Sequence, residues 1–305
     1  MKRSFFRALL PAVALLVCFF GSSGAQPQGR VLEPPPESPL STIEFKEVRS
    51  SILGRTVRYS VYLPASHAEG KKLYPVLYFL HGLFEDEKRW HSRGGKAVVD
   101  KLRSDGTLGE FIIAIPDAGR TFYTNYKDGS QRYEDFFVQE FIPHIEKAYR
   151  VQPGQRHRAL SGSSMGGYGA LKYGMRHAGL FNSVSAHSAV LIAELPQDFE
   201  GRRGQFYKQT LEGPFGAPID RAYWEAENPL KLAENPAPFK KLALYFDCGT
   251  EDRYGFFDGA QKLHDVLEAQ KFPHEFHLFP GDHGWSFLNQ VLERSLRFHW
   301  EHFQR

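Results

Sequence analysis

Leu160-Ser161-Gly162-Ser163-Ser164-Met165-Gly166-Gly167 is the stretch whose reading decides the fold. It holds a Gly-x-Ser-x-Gly run centred on Ser164. Arg156 to Leu160 before it reads as a short strand, and Tyr168 to Arg176 after it carries helix formers. A serine on a tight strand-to-helix turn has its hydroxyl pushed clear of the backbone, within reach of a base and of a substrate carbonyl. Gly162 and Gly166 belong there because a Cβ two residues to either side would collide where strand and helix cross. Ser163 does not fit the pattern, its corresponding neighbours being Ser161 and Met165.

Working outward, continuous apolar runs mark strands covered on both faces: Val76 to Leu80, Phe111 to Ile115 and Leu242 to Phe246. Val184 to Ala186 and Glu275 to Phe279 are shorter candidates. Helical periods fall between them at Phe136 to Tyr149, Tyr168 to Met175, Asp258 to Ala269 and Trp285 to Phe303. Strands alternating with helices predict an α/β domain with a mostly parallel central sheet and helices on both faces. Ile43 to Ser50 and Thr56 to Leu63 alternate apolar and polar residues, which predicts an antiparallel N-terminal edge. Residues 190–238 interrupt the alternation with many Pro, Gly and aromatic residues, and a cap over the active site is one reading of them.

The first 25 residues differ from the rest. Met1-Lys2-Arg3 is basic, Ala8 to Phe20 is almost unbroken apolar sequence, and Ser23-Gly24-Ala25 supplies small residues for cleavage. This is the pattern of a secretory signal peptide, with an apolar part short for a membrane span. A Pro-rich tether over 26–41 and a catalytic domain over 42–305 follow. The expected location is therefore secreted or periplasmic, with no stable membrane insertion after signal removal. The leader carries Lys2, Arg3 and Arg7 and no acid, so its loss takes the net charge from +3 to about zero. A neutral chain has no electrostatic footprint for nucleic acid. Cys18 leaves with the leader and Cys248 stands alone, so neither a disulfide framework nor a cysteine metal site is expected. No cofactor and no metal is called for, and no residue pattern fixes an oligomeric state.

A serine hydroxyl needs a base, and the base needs an acid to hold its tautomer. On this kind of sheet the chain order is Ser, then Asp or Glu, then His, at the carboxyl ends of later strands. The run Leu242 to Phe246 ends in Asp247-Cys248-Gly249-Thr250-Glu251-Asp252, and the run Glu275 to Phe279 ends in Pro280-Gly281-Asp282-His283-Gly284-Trp285. His283 is the expected base. Asp252 is preferred as acid over Asp247, still on the strand, and over Glu251. Oxyanion donors are expected from the amides of Met165, at a helix N-terminus, and of Leu83, after the His81-Gly82 turn. Tyr123, Asn125 and Trp285 follow strand ends on the face of Ser164 and are expected to wall a compact substrate site.

Taken together, Tyr78 to Leu83, Ile115 to Arg120 with Tyr123-Thr124-Asn125, Ser161 to Gly169, Gly249 to Asp252 and His283-Gly284-Trp285 resemble the esterase D family of α/β-hydrolases. That family includes S-formylglutathione hydrolases, feruloyl esterases, tributyrin-type esterases and the antigen 85 mycolyltransferases. The resemblance implies an α/β-hydrolase fold with Ser164 as nucleophile, Asp252 as acid, His283 as base, and Leu83 and Met165 as oxyanion donors. The expected activity is a serine carboxylesterase acting on short acyl or aryl esters of small molecules or carbohydrates. Two alternatives share the fold: an acyltransferase to a sugar hydroxyl and a non-catalytic carbohydrate-binding protein. The intact Ser164, Asp252 and His283 set weighs against the last.

Overall fold

The computed structural model describes residues 41–305, so the expected leader and all but the last residue of the tether lie outside the described residues. Eight strands form one sheet: β1 (Thr42–Arg49), β2 (Thr56–Leu63), β3 (Val76–Leu80), β4 (Ile112–Pro116), β5 (Arg158–Ser163), β6 (Ser183–His187), β7 (Ala243–Gly249) and β8 (Glu275–Phe279). Their order is β1-β2-β4-β3-β5-β6-β7-β8. The β1–β2 and β2–β4 pairs are antiparallel, and every pair from β4 to β8 is parallel.

Side-chain alternation along the buried strands feeds two separate cores. Val76, Tyr78 and Leu80 of β3 point into one, with Ile112 and Ala114 of β4. Leu77 and Phe79 point into the other, with Ile113 and Ile115. The first core is covered by the helix Met165–Arg176, the helix Phe256–Ala269 and a bulged helix running from Tyr133–Asp135 through a π-turn at Phe136–Phe141 to Ile142–Ala148. The second is covered by the helices Gly95–Ser104 and Trp285–Gln304. The expected α/β architecture with an antiparallel edge is the one observed. The helix Gly95–Ser104 carried no expectation.

Between β6 and β7 the chain builds the helices Gly201–Phe215 and Arg221–Glu227, followed by the short turns of helix Pro229–Leu232 and Ala237–Phe239. This insertion is tied to the body by a buried polar cluster. Lys172, on the helix Met165–Arg176, donates to Glu134 at 2.7 Å, to Glu227 at 2.8 Å and to Thr124 at 2.7 Å. Thr124 in turn donates to Glu227, and Tyr168 donates to the Glu227 carbonyl. A buried ammonium is tolerated only when its donors are met this way. The same helix thus begins at Ser164 and anchors the β6–β7 insertion.

Candidate active site

The turn at Ser164 is built by the two flanking glycines. A Cβ on Gly162 would lie 2.2 Å from the Gly166 carbonyl oxygen, and one on Gly166 would lie 1.9 Å from that of Leu80. Neither contact is physically possible, so only glycine lets β5 pass so close to the following helix. Ser164 itself takes φ 57° and ψ −117°, a conformation that a residue with a Cβ rarely adopts. Its surroundings hold it there: its amide donates to the His187 carbonyl, and its own carbonyl accepts from Tyr168 and Val190.

Three side chains from three strand ends then meet. Ser164 Oγ lies 3.0 Å from His283 Nε2, and His283 Nδ1 lies 2.8 Å from Asp252 Oδ2. Asp252 is buried, and its other oxygen accepts from the Tyr254 amide at 2.9 Å. With Nδ1 facing a carboxylate, the proton of a neutral imidazole sits on Nδ1, and Nε2 is left as acceptor for the serine hydroxyl. Edge contacts from Tyr254 and Phe256 hold the His283 ring at centroid distances of 4.8 and 5.5 Å. The loop that carries it is pinned by Arg253, which pairs with Asp282 through both its backbone amide and its guanidinium. That contact, more than any other, holds the Asp282 carboxyl down to about 2.

Asp247 is not available to His283. It lies on β7 and accepts from His187 Nδ1 at 2.9 Å, with both side chains fully buried. Glu251 is exposed on the loop. Cys248 is buried, and burial together with the nearby Asp252 carboxylate pushes its thiol far up, which leaves no thiolate for chemistry.

The amides of Leu83 and Met165 have no protein acceptor among the hydrogen bonds of the described residues. Met165 opens a 12-residue helix, and Leu83 follows Gly82, where a Cβ would lie 3.5 Å from that of Ser164. The Gly82 amide donates to Glu85 Oε2 at 2.9 Å, and Glu85 Oε1 accepts from the Trp285 indole at 2.6 Å. Glu85 therefore joins the turn that presents Leu83 to the segment that follows His283. Nothing in the sequence singled out this residue beyond its place three positions after Gly82. His81 is buried, accepts from the Ala118 amide through Nε2, and faces the Gly82 carbonyl with Nδ1.

A cleft of about 730 Å³, open solvent at its mouth included, reaches Ser164 and His283. Its walls are mostly aromatic and aliphatic. Phe122, Tyr254, Phe256 and Trp285 come from the body, and Phe206 and Leu211 from the helix Gly201–Phe215. Trp285 lies on this wall, whereas Tyr123 and Asn125 do not. Tyr123 is fully buried, donates to the His81 carbonyl at 3.0 Å and packs its ring onto Gly169. Asn125 spends its side-chain oxygen on the Asp135 amide and its carbonyl on the Tyr223 hydroxyl. The expectation failed because the chain turns sharply at Phe122 and Tyr123, both at positive φ. The turn leaves Phe122 on the cleft wall and sends the next ring under the helix that begins beside Ser164.

The sheet order, the strand-turn-helix at Ser164 and the Ser-His-Asp contacts define an α/β-hydrolase of the serine type. The chain belongs to the Esterase family, whose model matches residues 50–299. A solved ferulic acid esterase is 31% identical and superposes with a TM-score of 0.75 over 87% of this chain and 99% of its own. An esterase of Mycobacterium tuberculosis is 29% identical over 263 residues, which are 78% of this chain and 55% of that protein. The chain thus spans about half the length of this mycobacterial relative. The S-formylglutathione hydrolase of Bos taurus is 27% identical over 80% of this chain and 88% of its own.

Proposed function

We propose that this protein hydrolyses carboxylic esters of short acyl or aryl acids through a covalent acyl–Ser164 intermediate. The observation that carries the reading is the continuous contact from Ser164 Oγ through His283 to buried Asp252, at the floor of an aromatic-walled cleft. His283 Nε2 takes the hydroxyl proton as Ser164 Oγ bonds to the ester carbonyl carbon. Asp252 holds the resulting imidazolium and its orientation. The carbonyl oxygen, now an anion, is received by the Leu83 and Met165 amides. Collapse of the adduct breaks the carbon–oxygen bond to the alcohol, which leaves with the proton from His283. Water then repeats the sequence and frees the acid.

The helix Gly201–Phe215 supports the reading of 190–238 as a cap, because it supplies side chains to the cleft. A cleft closed on that side suits acyl groups from acetyl to butyryl, or one aryl ring, better than long chains. Likeness to a ferulic acid esterase points the same way. We take residues 1–25 as a leader that sends the enzyme out of the cytoplasm, on the pattern of Met1 to Ala25. Among the described residues no helix is long and apolar enough to cross a membrane.

A panel of p-nitrophenyl esters of rising chain length, with methyl ferulate added, tests the proposal. Acetyl to butyryl esters or the ferulate should turn over fastest, and Ser164→Ala should abolish turnover of all of them. A rate that climbs steadily to twelve carbons or more, or jumps when the substrate forms droplets, would contradict it and favour a lipase.

A further inference from the structure

His264, Glu268 and His274 lie away from the reacting groups, and no step of the mechanism uses them. His264 and Glu268 are four residues apart on the helix Phe256–Ala269, hence on one face of it. The chain then turns through Gln270 to Pro273 and delivers His274 just before β8. His264 Nδ1 and His274 Nε2 end 2.8 Å apart, and one ligand atom from each of the three residues falls within 4.8 Å of the other two.

We propose that these three side chains form a binding site for a divalent transition-metal ion of the zinc class. The donor set is two imidazole nitrogens and one carboxylate oxygen, which suits zinc, cobalt or nickel and not calcium or magnesium. A second feature points to a ligand site. His274 Nδ1 faces the Phe272 carbonyl at 2.7 Å, so Nδ1 carries the proton and the lone pair of Nε2 is turned toward His264. A backbone carbonyl that fixes the far nitrogen is the usual support for a metal-binding histidine. Both rings are also held from behind, His264 stacked on Phe276 at 4.8 Å and His274 on Phe246 at 5.6 Å. Glu268 is exposed, which leaves the approach to the pair open to solvent and to an ion.

With the pair in contact, the proton between them belongs to His264 Nδ1. Metal binding moves that proton to His264 Nε2, which frees the Nδ1 lone pair and changes no net charge on either ring. A tetrahedral ion with bonds of about 2.0–2.1 Å requires the two nitrogens to part to roughly 3.3 Å. Half an ångström is within reach of small side-chain rotations. Water would complete the shell.

The site would join the outer ends of the two elements that flank the acid and base loops. The helix begins at Phe256, against His283, and β8 leads into the loop that bears His283. Its role is therefore to stabilise and not to catalyse. The sequence did not suggest it, because His264 and His274 belong to different elements and meet only through the turn.

The test uses untagged protein stripped with a chelator, then titrated with zinc chloride and with cobalt chloride. One equivalent should bind, and a saturating excess near 100-fold over Kd should raise Tm by about 4 °C or more. Cobalt should give the visible absorption of a tetrahedral nitrogen–oxygen site. His264→Ala and His274→Ala should each lose the absorption and the Tm shift while esterase activity without metal persists. Glu268→Gln, at an exposed position that cannot disturb folding, should weaken binding by 10-fold or more. His91→Ala, at an exposed histidine elsewhere, should bind as the unaltered protein does. Absence of binding at 100 µM metal, or binding unaffected by Glu268→Gln and both histidine variants, would overturn the proposal. So would an absorption that is lost only on His283→Ala.

Discussion

Ser164 and Ser163 are adjacent hydroxyls, and only Ser164 reaches a base. The difference comes from one backbone conformation, which costs on the order of 1–3 kcal/mol and persists because the surrounding hydrogen bonds hold it. Replacing Ser164 with Ala should lower kcat by about 10⁶ with the fold intact. Asp252→Asn should cost roughly 10⁴ in kcat, since an amide can hold the imidazole in the wrong tautomer. Asp247→Asn makes the opposite split. Its partner is buried His187, so it should cost about 1–3 kcal/mol of stability while leaving kcat within a few-fold. Steady-state kinetics and urea unfolding of the two variants separate these outcomes, and an equal kcat loss at Asp247 would move the acid to that residue.

At the scale of elements, the crossing of β5 with the helix Met165–Arg176 leaves no room for a side chain at Gly166. Gly166→Ala should therefore yield little or no folded protein, read by circular dichroism and soluble yield, since the new Cβ would meet backbone and not a flexible side chain. This crossing was legible in the sequence, because glycine spacing around a serine has one steric cause. The buried strands were legible for a similar reason: long apolar runs at Val76 to Leu80 and Phe111 to Ile115 have no other place to go. The order of Asp252 and His283 followed from where their strands end. The cleft wall was not legible. Phe206 and Leu211 lie on a helix of the β6–β7 insertion, whose next helix, Arg221–Glu227, is anchored by a buried contact between Lys172 and Glu227, 55 residues apart, and no local pattern records such a contact. Tyr123 was misplaced because two successive residues of positive-φ backbone, Phe122 and Tyr123, change the side a ring faces. Phe206→Ala and Leu211→Ala should enlarge the cleft, and the ratio of hexanoyl to acetyl turnover should rise several-fold in either. An unchanged ratio would take the helix Gly201–Phe215 out of the acyl site.

For the whole molecule, the cluster around Lys172 sets a pH limit. Burial opposes ionisation of Glu134, but Lys172, His177 and Arg176 outweigh it and bring the carboxyl from 4.5 down to about 2. A folded pKa below the unfolded one gives stability that is present above 4.5 and is lost as pH falls toward 2. The shift corresponds to about 3 kcal/mol at neutral pH. Glu134→Gln should cost about that much at pH 7, and the gap to the unaltered protein should shrink to under half by pH 3, measured by urea midpoints. A gap independent of pH would mean that Glu134 acts by packing alone. Covalent catalysis at Ser164 places a new bond on one atom of this molecule, and that bond can be read as a mass. A fluorophosphonate probe should add one equivalent to the intact protein, and the adduct should map to Ser164 within the tryptic peptide that runs from Ala159 to Lys172. Ser164→Ala should take up none and turn over no ester. An adduct on Ser161 or Ser163, or ester turnover that survives Ser164→Ala, would contradict the account.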